Sequence, residues 1–149
     1  QKKDDHFFEA AGPGCTYVFS RVVMQNFQVF LSELGGKARS VDLHDWLTYA
    51  FCRNKGYIWY IDAKPSMRYR QHADNQVGTN AGLKAYRKRI ELVRQRWYRT
   101  QVENIVRCVR PELAECFDSF FFRGKHISSM RRRPRDVFAI FLMFVLGLY

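Results

Sequence analysis

Cysteine pairs of the kind that hold structural zinc are missing from this 149-residue sequence. Its four cysteines, Cys15, Cys52, Cys108 and Cys116, show no Cys-x-x-Cys spacing, and that knuckle is what makes a zinc site convincing. Cys52 falls on the apolar side of a predicted helix and Cys15 in a predicted strand. Both are therefore simpler to interpret as buried small hydrophobic residues than as disulfide halves, which indicates a reducing compartment.

A hydrophobic run long enough to cross a bilayer is missing too. The apolar run 137–149 has 13 residues, whereas a transmembrane helix needs about 20. We expect this run to form a core helix, an interfacial anchor or the start of an interrupted segment. The polar start, Gln1–Asp5, has none of the features of a signal peptide. Because the first residue is not methionine, we expect a piece of a longer protein.

Acidic residues are scarce, since 14 Asp and Glu stand against 25 Lys and Arg, for a net charge of +11. Nine basic residues against two Glu lie between Lys84 and Arg110, and four arginines lie in the segment 131–135. Such a field attracts nucleotides, nucleic acid, anionic lipid headgroups or an acidic partner, without choosing among them. An apolar content of 47% and an aromatic content of 16% nevertheless predict a folded domain.

Turn signals and hydrophobic periodicity predict a mostly helical α+β chain with a few short strands. Asp42 is the predicted N-cap of a helix over Leu43–Asn54, which Lys55-Gly56 ends. A long basic amphipathic helix is predicted over 81–109. The other predicted elements are strands at 15–19, 57–61 and 67–70, a helix from about Arg21 to the Gly35-Gly36 pair, and helices after Pro111 and Pro134.

Two short segments carry residues suited to chemistry. His44-Asp45-Trp46 opens a predicted helix, and a carboxylate in the first turn of a helix is kept ionised by the helix dipole. The segment 70–78 carries a histidine and an asparagine in a loop that ends in glycine. A neutral imidazole there can ligate Mg²⁺ or Mn²⁺, and a protonated one can bind phosphate.

These segments resemble the C-terminal half of the catalytic domain of family 2 glycosyltransferases, in particular the bacterial rhamnosyltransferase-like members. The resemblance covers Gly12 to about Leu92, and its motifs are Gly12-Pro13-Gly14-Cys15-Thr16, Asp45-Trp46, and Tyr69-Arg70-Gln71-His72-x-x-Asn75. It implies a partial GT-A nucleotide-diphospho-sugar transferase fold. Residues 1–80 would be the acceptor-side part of the catalytic domain, and residues 81–149 a basic helical extension with an apolar C-terminal helix.

The resemblance also implies roles for individual residues. Asp45 takes the position of the catalytic base, and Gly14 permits close approach of the backbone to a ligand. Trp46 is either a wall on which a sugar stacks or a core residue, and the sequence does not decide between the two. The remaining implied residues are Arg70 and Asn75, which would bind the substrate, and His72, which would contact a metal ion or the diphosphate.

The implied function is inverting transfer of a sugar such as rhamnose from a nucleotide-diphospho-sugar to a saccharide or lipid-linked acceptor in cell-surface polysaccharide synthesis. The family's Asp-x-Asp loop, through which Mg²⁺ or Mn²⁺ is mainly held, is missing from this sequence. We therefore expect the nucleotide-binding half to precede it, and the 149 residues alone to be inactive. The expected location is the cytoplasm, at the inner face of the plasma membrane.

The alternative is a basic module that binds membranes or nucleic acid without catalysis. No helix-turn-helix, RNA-recognition or zinc-finger signature is present, so nucleic acid is the weaker partner. The arginines of 131–135 beside the apolar run 137–149 favour contact with an anionic membrane.

Overall fold

The computed structural model describes residues 1–64, 83–117, 119 and 124–149. The described residues are mostly helical and contain no β-strand, so the predicted α+β class is confirmed in its helical part only. The helices are α1 Asp5–Phe8, α2 Arg21–Leu34, α3 His44–Asn54, α4 Leu83–Arg94, α5 Trp97–Val109, α6 Ala114–Phe117 and α7 Pro134–Val145, with 3₁₀ turns at Gly14–Thr16, Gly35–Ser40, Pro111–Leu113 and Ile127–Ser129.

Helix α2 begins and ends where the sequence predicts. The Ser20 hydroxyl accepts the backbone N–H of Val23 (3.4 Å) and so serves as the N-cap. Gly35 follows the last residue with a φ of 54°, a left-handed conformation that glycine adopts without steric cost.

Helix α3 has a different start from the predicted one. It begins at His44, and the residue before it, Leu43, makes no side-chain cap. The predicted N-cap was wrong, because the Asp42 carboxylate instead accepts the indole N–H of Trp97 (2.6 Å). The backbone N–H of Asp42 donates to Gln101 (2.9 Å), so the loop before α3 is fastened to α5. The predicted stop at Lys55-Gly56 is confirmed, with Gly56 at a φ of 77°.

The long basic helix predicted over 81–109 is two helices, α4 and α5. The chain breaks at Arg96, whose φ of 53° is left-handed and ends a continuous helix. The two bonds from α5 to Asp42 fix where α5 starts, and this tertiary constraint leaves no trace in the periodicity of the sequence. The predicted domain division at residue 80 lies outside the described residues and stays a prediction.

The core lies where α1, α3 and α5 pack together, with Ile140 of α7 and the C-terminal Tyr149 completing it. Its most deeply buried apolar side chains are Phe8, Phe51, Val102, Ile105, Val106 and Met130. Burial of these six side chains removes several hundred Å² of apolar surface from water, and this removal is the main favourable term in folding.

The predicted strands do not form within the described residues. In the first, Gly14–Thr16 is a 3₁₀ turn, and the rest of it is extended but joins no β-ladder. In the second, Tyr57–Ile61, the chain likewise pairs with no other strand, and partly buried side chains alternate with exposed ones along most of it. Val18 is 95% exposed and Ile58 101%, as on a strand face with no neighbour. These two predictions were wrong because a strand needs a partner to take its backbone hydrogen bonds. The third, 67–70, lies outside the described residues.

Candidate functional site

The turn Gly14–Thr16 and the start of α3 lie against each other. A Cβ atom at Gly14 would be 2.9 Å from Nε2 of His44 and 3.1 Å from Cβ of Asp45. A side chain at Gly14 would require the exposed ring of His44 to turn away and Asp45 to give by a few tenths of an ångström, so glycine favours this close contact. The structure thus brings together Gly14 and Asp45, two predicted site residues that are thirty positions apart in the sequence, although their roles stay predictions.

Asp45 lies in the first turn of α3 and is half-buried. One carboxylate oxygen, Oδ1, accepts the backbone N–H of Trp46 (2.8 Å). The N-terminal end of a helix carries a partial positive charge, which attracts a carboxylate placed in the first turn. A half-exposed carboxylate of this kind can accept a proton from a group that reaches it from solvent.

Tyr17 adds a hydroxyl to the neighbourhood of Asp45. Its hydroxyl donates to the carbonyl of Gly12 (2.9 Å) and accepts the N–H of the same residue (3.2 Å). Burial, and next the negative charge of Asp45, raise the pKa of the Tyr17 hydroxyl. Tyr17 is therefore a neutral phenol at physiological pH, held in place by the loop that contains Gly14.

Trp46 lies in the core. It is 3% exposed, its indole N–H donates to the carbonyl of His6 (3.0 Å), and its ring stacks on Tyr98 with 5.9 Å between centroids. The sequence left two interpretations of Trp46 open, and the structure shows that it is a core residue. No face of its ring is open to a sugar. His44, by contrast, is exposed beside Asp45.

An open cleft of about 820 Å³ lies between the loop around Tyr17 and the extended segment 57–62. Its described lining is rich in aromatic rings, among them Tyr17, Phe19, Trp59 and Tyr60, with Asp62 and Lys64 also in the lining. The Tyr17 and Trp59 rings meet edge to face, 4.8 Å between centroids. These residues were not among the predicted site residues, although aromatic side chains at alternate positions, 17 and 19 and again 57 and 59, indicate one aromatic face.

The other predicted site residues, Arg70, His72 and Asn75, lie outside the described residues, so their placement stays a prediction. In the part of the chain that the structure describes, no three His, Cys, Asp or Glu side chains come together to hold a metal ion. Asp5, one of two adjacent acids near the N-terminus, is fully buried and accepts the hydroxyl of Tyr49 (3.0 Å). It is therefore a structural acid.

Half of the arginine cluster at 131–135 is used inside the fold. Arg132 contacts the carboxylates of Asp5 (3.5 Å) and Glu9 (3.2 Å). Arg131 donates to the carbonyl of Phe8 (2.6 Å) and lies 3.9 Å from Glu9. These two guanidinium groups therefore tie the chain before α7 to the N-terminal segment, while the other two arginines of the cluster are exposed.

Comparison with known proteins finds a similar protein in Shigella flexneri, a curated protein named dTDP-rhamnosyl transferase RfbG. The two are 40% identical over 155 aligned positions, which take in the whole of this chain. The chain spans 54% of that relative's length, or about half of it. No family model matches the chain, and no solved structure matches it. The similarity agrees with the resemblance to rhamnosyltransferase-like glycosyltransferases that the motifs around Gly14 and Asp45 indicate.

Proposed function

We propose that this chain is part of an inverting glycosyltransferase that moves rhamnose from a dTDP-sugar to a saccharide acceptor in cell-surface polysaccharide synthesis. The observation that carries the proposal is the 40% identity, over the whole chain, to a protein named as a dTDP-rhamnosyl transferase. The contact of Gly14 with Asp45 supports it, because the two motifs meet at one place.

In the proposed reaction the oxygen of an acceptor hydroxyl attacks the anomeric carbon of the donor sugar. Asp45 takes the hydroxyl proton as the new C–O bond forms, and the bond to the diphosphate breaks on the opposite side, so that dTDP leaves. A positioned base contributes about 10²- to 10⁴-fold to such a step. The half-exposed position of Asp45 at the start of α3 suits this role, since it can be reached from solvent.

The acceptor saccharide would bind in the aromatic cleft. Aromatic rings offer apolar faces to the C–H groups of a sugar ring, and Asp62 and Lys64 offer hydrogen-bonding groups from the lining. Tyr17 lines the cleft and its hydroxyl feels the charge of Asp45, which is not itself in the described lining, so the acceptor hydroxyl would have to extend from the cleft toward Asp45. A lipid-linked saccharide is the acceptor form that we propose.

The donor would be bound mainly by residues outside this sequence. The relative is nearly twice as long as the region it shares with this chain. The extended segments at 17–20 and 57–61, with Val18 and Ile58 exposed, suit the edge of a sheet that another part of the protein completes. We accordingly propose that the 149 residues alone do not turn over a nucleotide sugar.

The described residues do not by themselves fit a Mg²⁺ or Mn²⁺ site, because no cluster of three suitable ligands is present among them. We propose that such a metal is held in the longer protein by an Asp-x-Asp loop, with His72 as a further contact to the metal or diphosphate and Arg70 and Asn75 as substrate contacts. The proton transfer proposed for Asp45 does not depend on this metal ion. Four free cysteines support a cytoplasmic location. Cys52 is buried as predicted, whereas Cys15, also predicted to be buried, is exposed.

The test is turnover by the full-length gene product. Purified protein is incubated with dTDP-rhamnose and a lipid-linked saccharide extract, and release of dTDP and labelling of the acceptor are measured. We expect dTDP-rhamnose to be consumed faster than UDP-glucose and the anomeric configuration of the sugar to be inverted. If no nucleotide sugar is consumed with either donor, the enzyme proposal fails, and a basic binding module without catalysis replaces it.

A further inference from the structure

Helix α7 is apolar on two opposite faces. Its inner face packs into the core through Ile140, which is 3% exposed, and through the partly buried Met143 and Phe144. Its outer face is a stripe of exposed side chains at helical spacing, and we call it the α7 stripe: Phe138 (60% exposed), Phe141 (47%), Leu142 (40%), Val145 (62%) and Leu146 (65%). Contiguous exposed apolar side chains on one face are the mark of an interaction surface.

Positive charge lies at one end of the α7 stripe. Arg133 and Arg135 are exposed at the N-terminal end of the helix, and the Arg135 side chain is 76% exposed. Asp136 is the one acidic residue in the sequence of α7, and it lies 3.4 Å from Arg135. The other two arginines of the cluster point inward to Asp5 and Glu9, so the outward charge at this end is basic.

We propose that the α7 stripe docks on an anionic lipid bilayer, with α7 lying in the plane of the interface and Arg133 and Arg135 among the headgroups. A surface with apolar side chains beside basic ones complements both the acyl boundary and the anionic headgroups of such a membrane. Within the described residues no helix is long and apolar enough to cross a membrane. The 12 residues of α7 extend about 18 Å, short of the roughly 30 Å of a hydrocarbon core.

A second copy of the chain is a less suitable occupant. A single helix face about 18 Å long and 10 Å wide is small beside the roughly 800 Å² per partner of a stable protein interface. In an antiparallel symmetric pair the exposed arginines would lie at opposite ends of the interface, and the described part of α7 offers no free carboxylate to neutralise them. An anionic membrane can cover a stripe of this small size, and its headgroups neutralise the exposed arginines.

The experiment is co-sedimentation of the full chain with two sets of vesicles, one of phosphatidylcholine alone and one with 30% phosphatidylglycerol. We expect binding to the anionic vesicles only, weakening as salt is raised. In a double variant, Arg133→Gln with Arg135→Gln, we expect binding to fall about 20- to 30-fold, because each basic residue near an anionic surface contributes roughly fivefold. Equal binding to both vesicle sets would overturn the electrostatic part of the proposal.

The apolar part is tested with Phe138→Ser combined with Val145→Ser. The matched control is Val22→Ser combined with Val29→Ser on α2, because those two valines are 62% and 57% exposed. We expect the α7 variant to lose at least tenfold in binding and the α2 variant to keep it, with melting curves showing both folded. Equal loss in both variants, or none in either, overturns the proposal. Dimerisation of the full chain that the α7 variant abolishes would assign the stripe to a second copy instead.

Discussion

Removing the buried carboxylate of Asp5 should destabilise the fold far more than removing the exposed carboxylate of Glu33. Asp5 is fully buried, and its oxygens face the hydroxyl of Tyr49 (3.0 Å), Arg53 (3.4 Å) and Arg132 (3.5 Å). Burial, and next the charge of Asp5, raise the pKa of Tyr49 to about 12. The backbone N–H of Lys2 also donates to the carboxylate of Asp5 (3.1 Å). Asp5 thus joins α1, α3 and the chain before α7.

The size of the effect follows from what Asp5→Ala leaves behind. Breaking a buried ion pair by removing one partner costs about 3–5 kcal/mol, because the remaining charge is left without compensation. The Arg53 and Arg132 side chains are 17% and 24% exposed, so water recovers part of that cost. We therefore expect a loss of about 3 kcal/mol in the free energy of unfolding. For a chain of this length, that corresponds to a fall in Tm of roughly 6–12 °C.

The assay is urea unfolding together with thermal melting, followed by circular dichroism. The matched control is Glu33→Ala, which removes the same charge from an exposed position on α2, and we expect its effect to stay within about 0.5 kcal/mol. Asp5→Asn keeps an acceptor for Tyr49 and should fall between the two. If Asp5→Ala melts within about 2 °C of Glu33→Ala, the buried network does not stabilise the fold as argued.

Three further predictions follow from particular residues. The pKa of His6 is lowered to about 4, by burial first and then by the charge of Arg53. Between pH 6.5 and 4 the unfolded chain therefore binds a proton that the folded chain does not, and the free energy of unfolding should fall by about 2–3 kcal/mol as the pH is lowered over that interval. In His6→Asn this part of the pH dependence, measured by urea unfolding at each pH, should vanish. Arg96→Gly should leave stability unchanged or raise it by up to about 1 kcal/mol, because φ is 53° there, whereas Arg87→Gly inside α4 should lower it by about 1 kcal/mol in the same melts. Gly14→Ala should slow sugar transfer by the full-length protein roughly tenfold by displacing His44 and Asp45, while Gly12→Ala, with no atom within 4 Å of the added carbon, should not.

Local signals in the sequence were enough for some elements. The Gly35-Gly36 pair marks the end of α2 and Pro134 marks the start of α7, because a glycine stop and a helix-starting proline act through neighbouring backbone groups alone. The break at Arg96 could not be predicted in this way. It depends on the bonds from Trp97 and Gln101 to Asp42, and those residues are more than fifty positions away.

The candidate site was predictable in part for the same reason. Motif resemblance selected Gly14 and Asp45, and the structure places them in contact. The resemblance could not tell whether Trp46 lies in the core or is exposed, whereas the structure shows it buried. Burial of Trp46 depends on the carbonyl of His6 and the ring of Tyr98, which come from distant parts of the chain. The strands at 15–19 and 57–61 failed as predictions because sheet formation requires a neighbouring strand, which no local signal supplies.

The most direct test of the proposed function is the rate of sugar transfer by the full-length gene product carrying Asp45→Asn. This change keeps the size and the hydrogen bond to the N–H of Trp46 but removes the ability to take a proton. With Glu33→Gln as the matched control, we predict that kcat falls about 10²- to 10⁴-fold while Tm stays within a few degrees of the unaltered protein. A variant that transfers rhamnose at nearly the unaltered rate would contradict the assignment of Asp45 as the base.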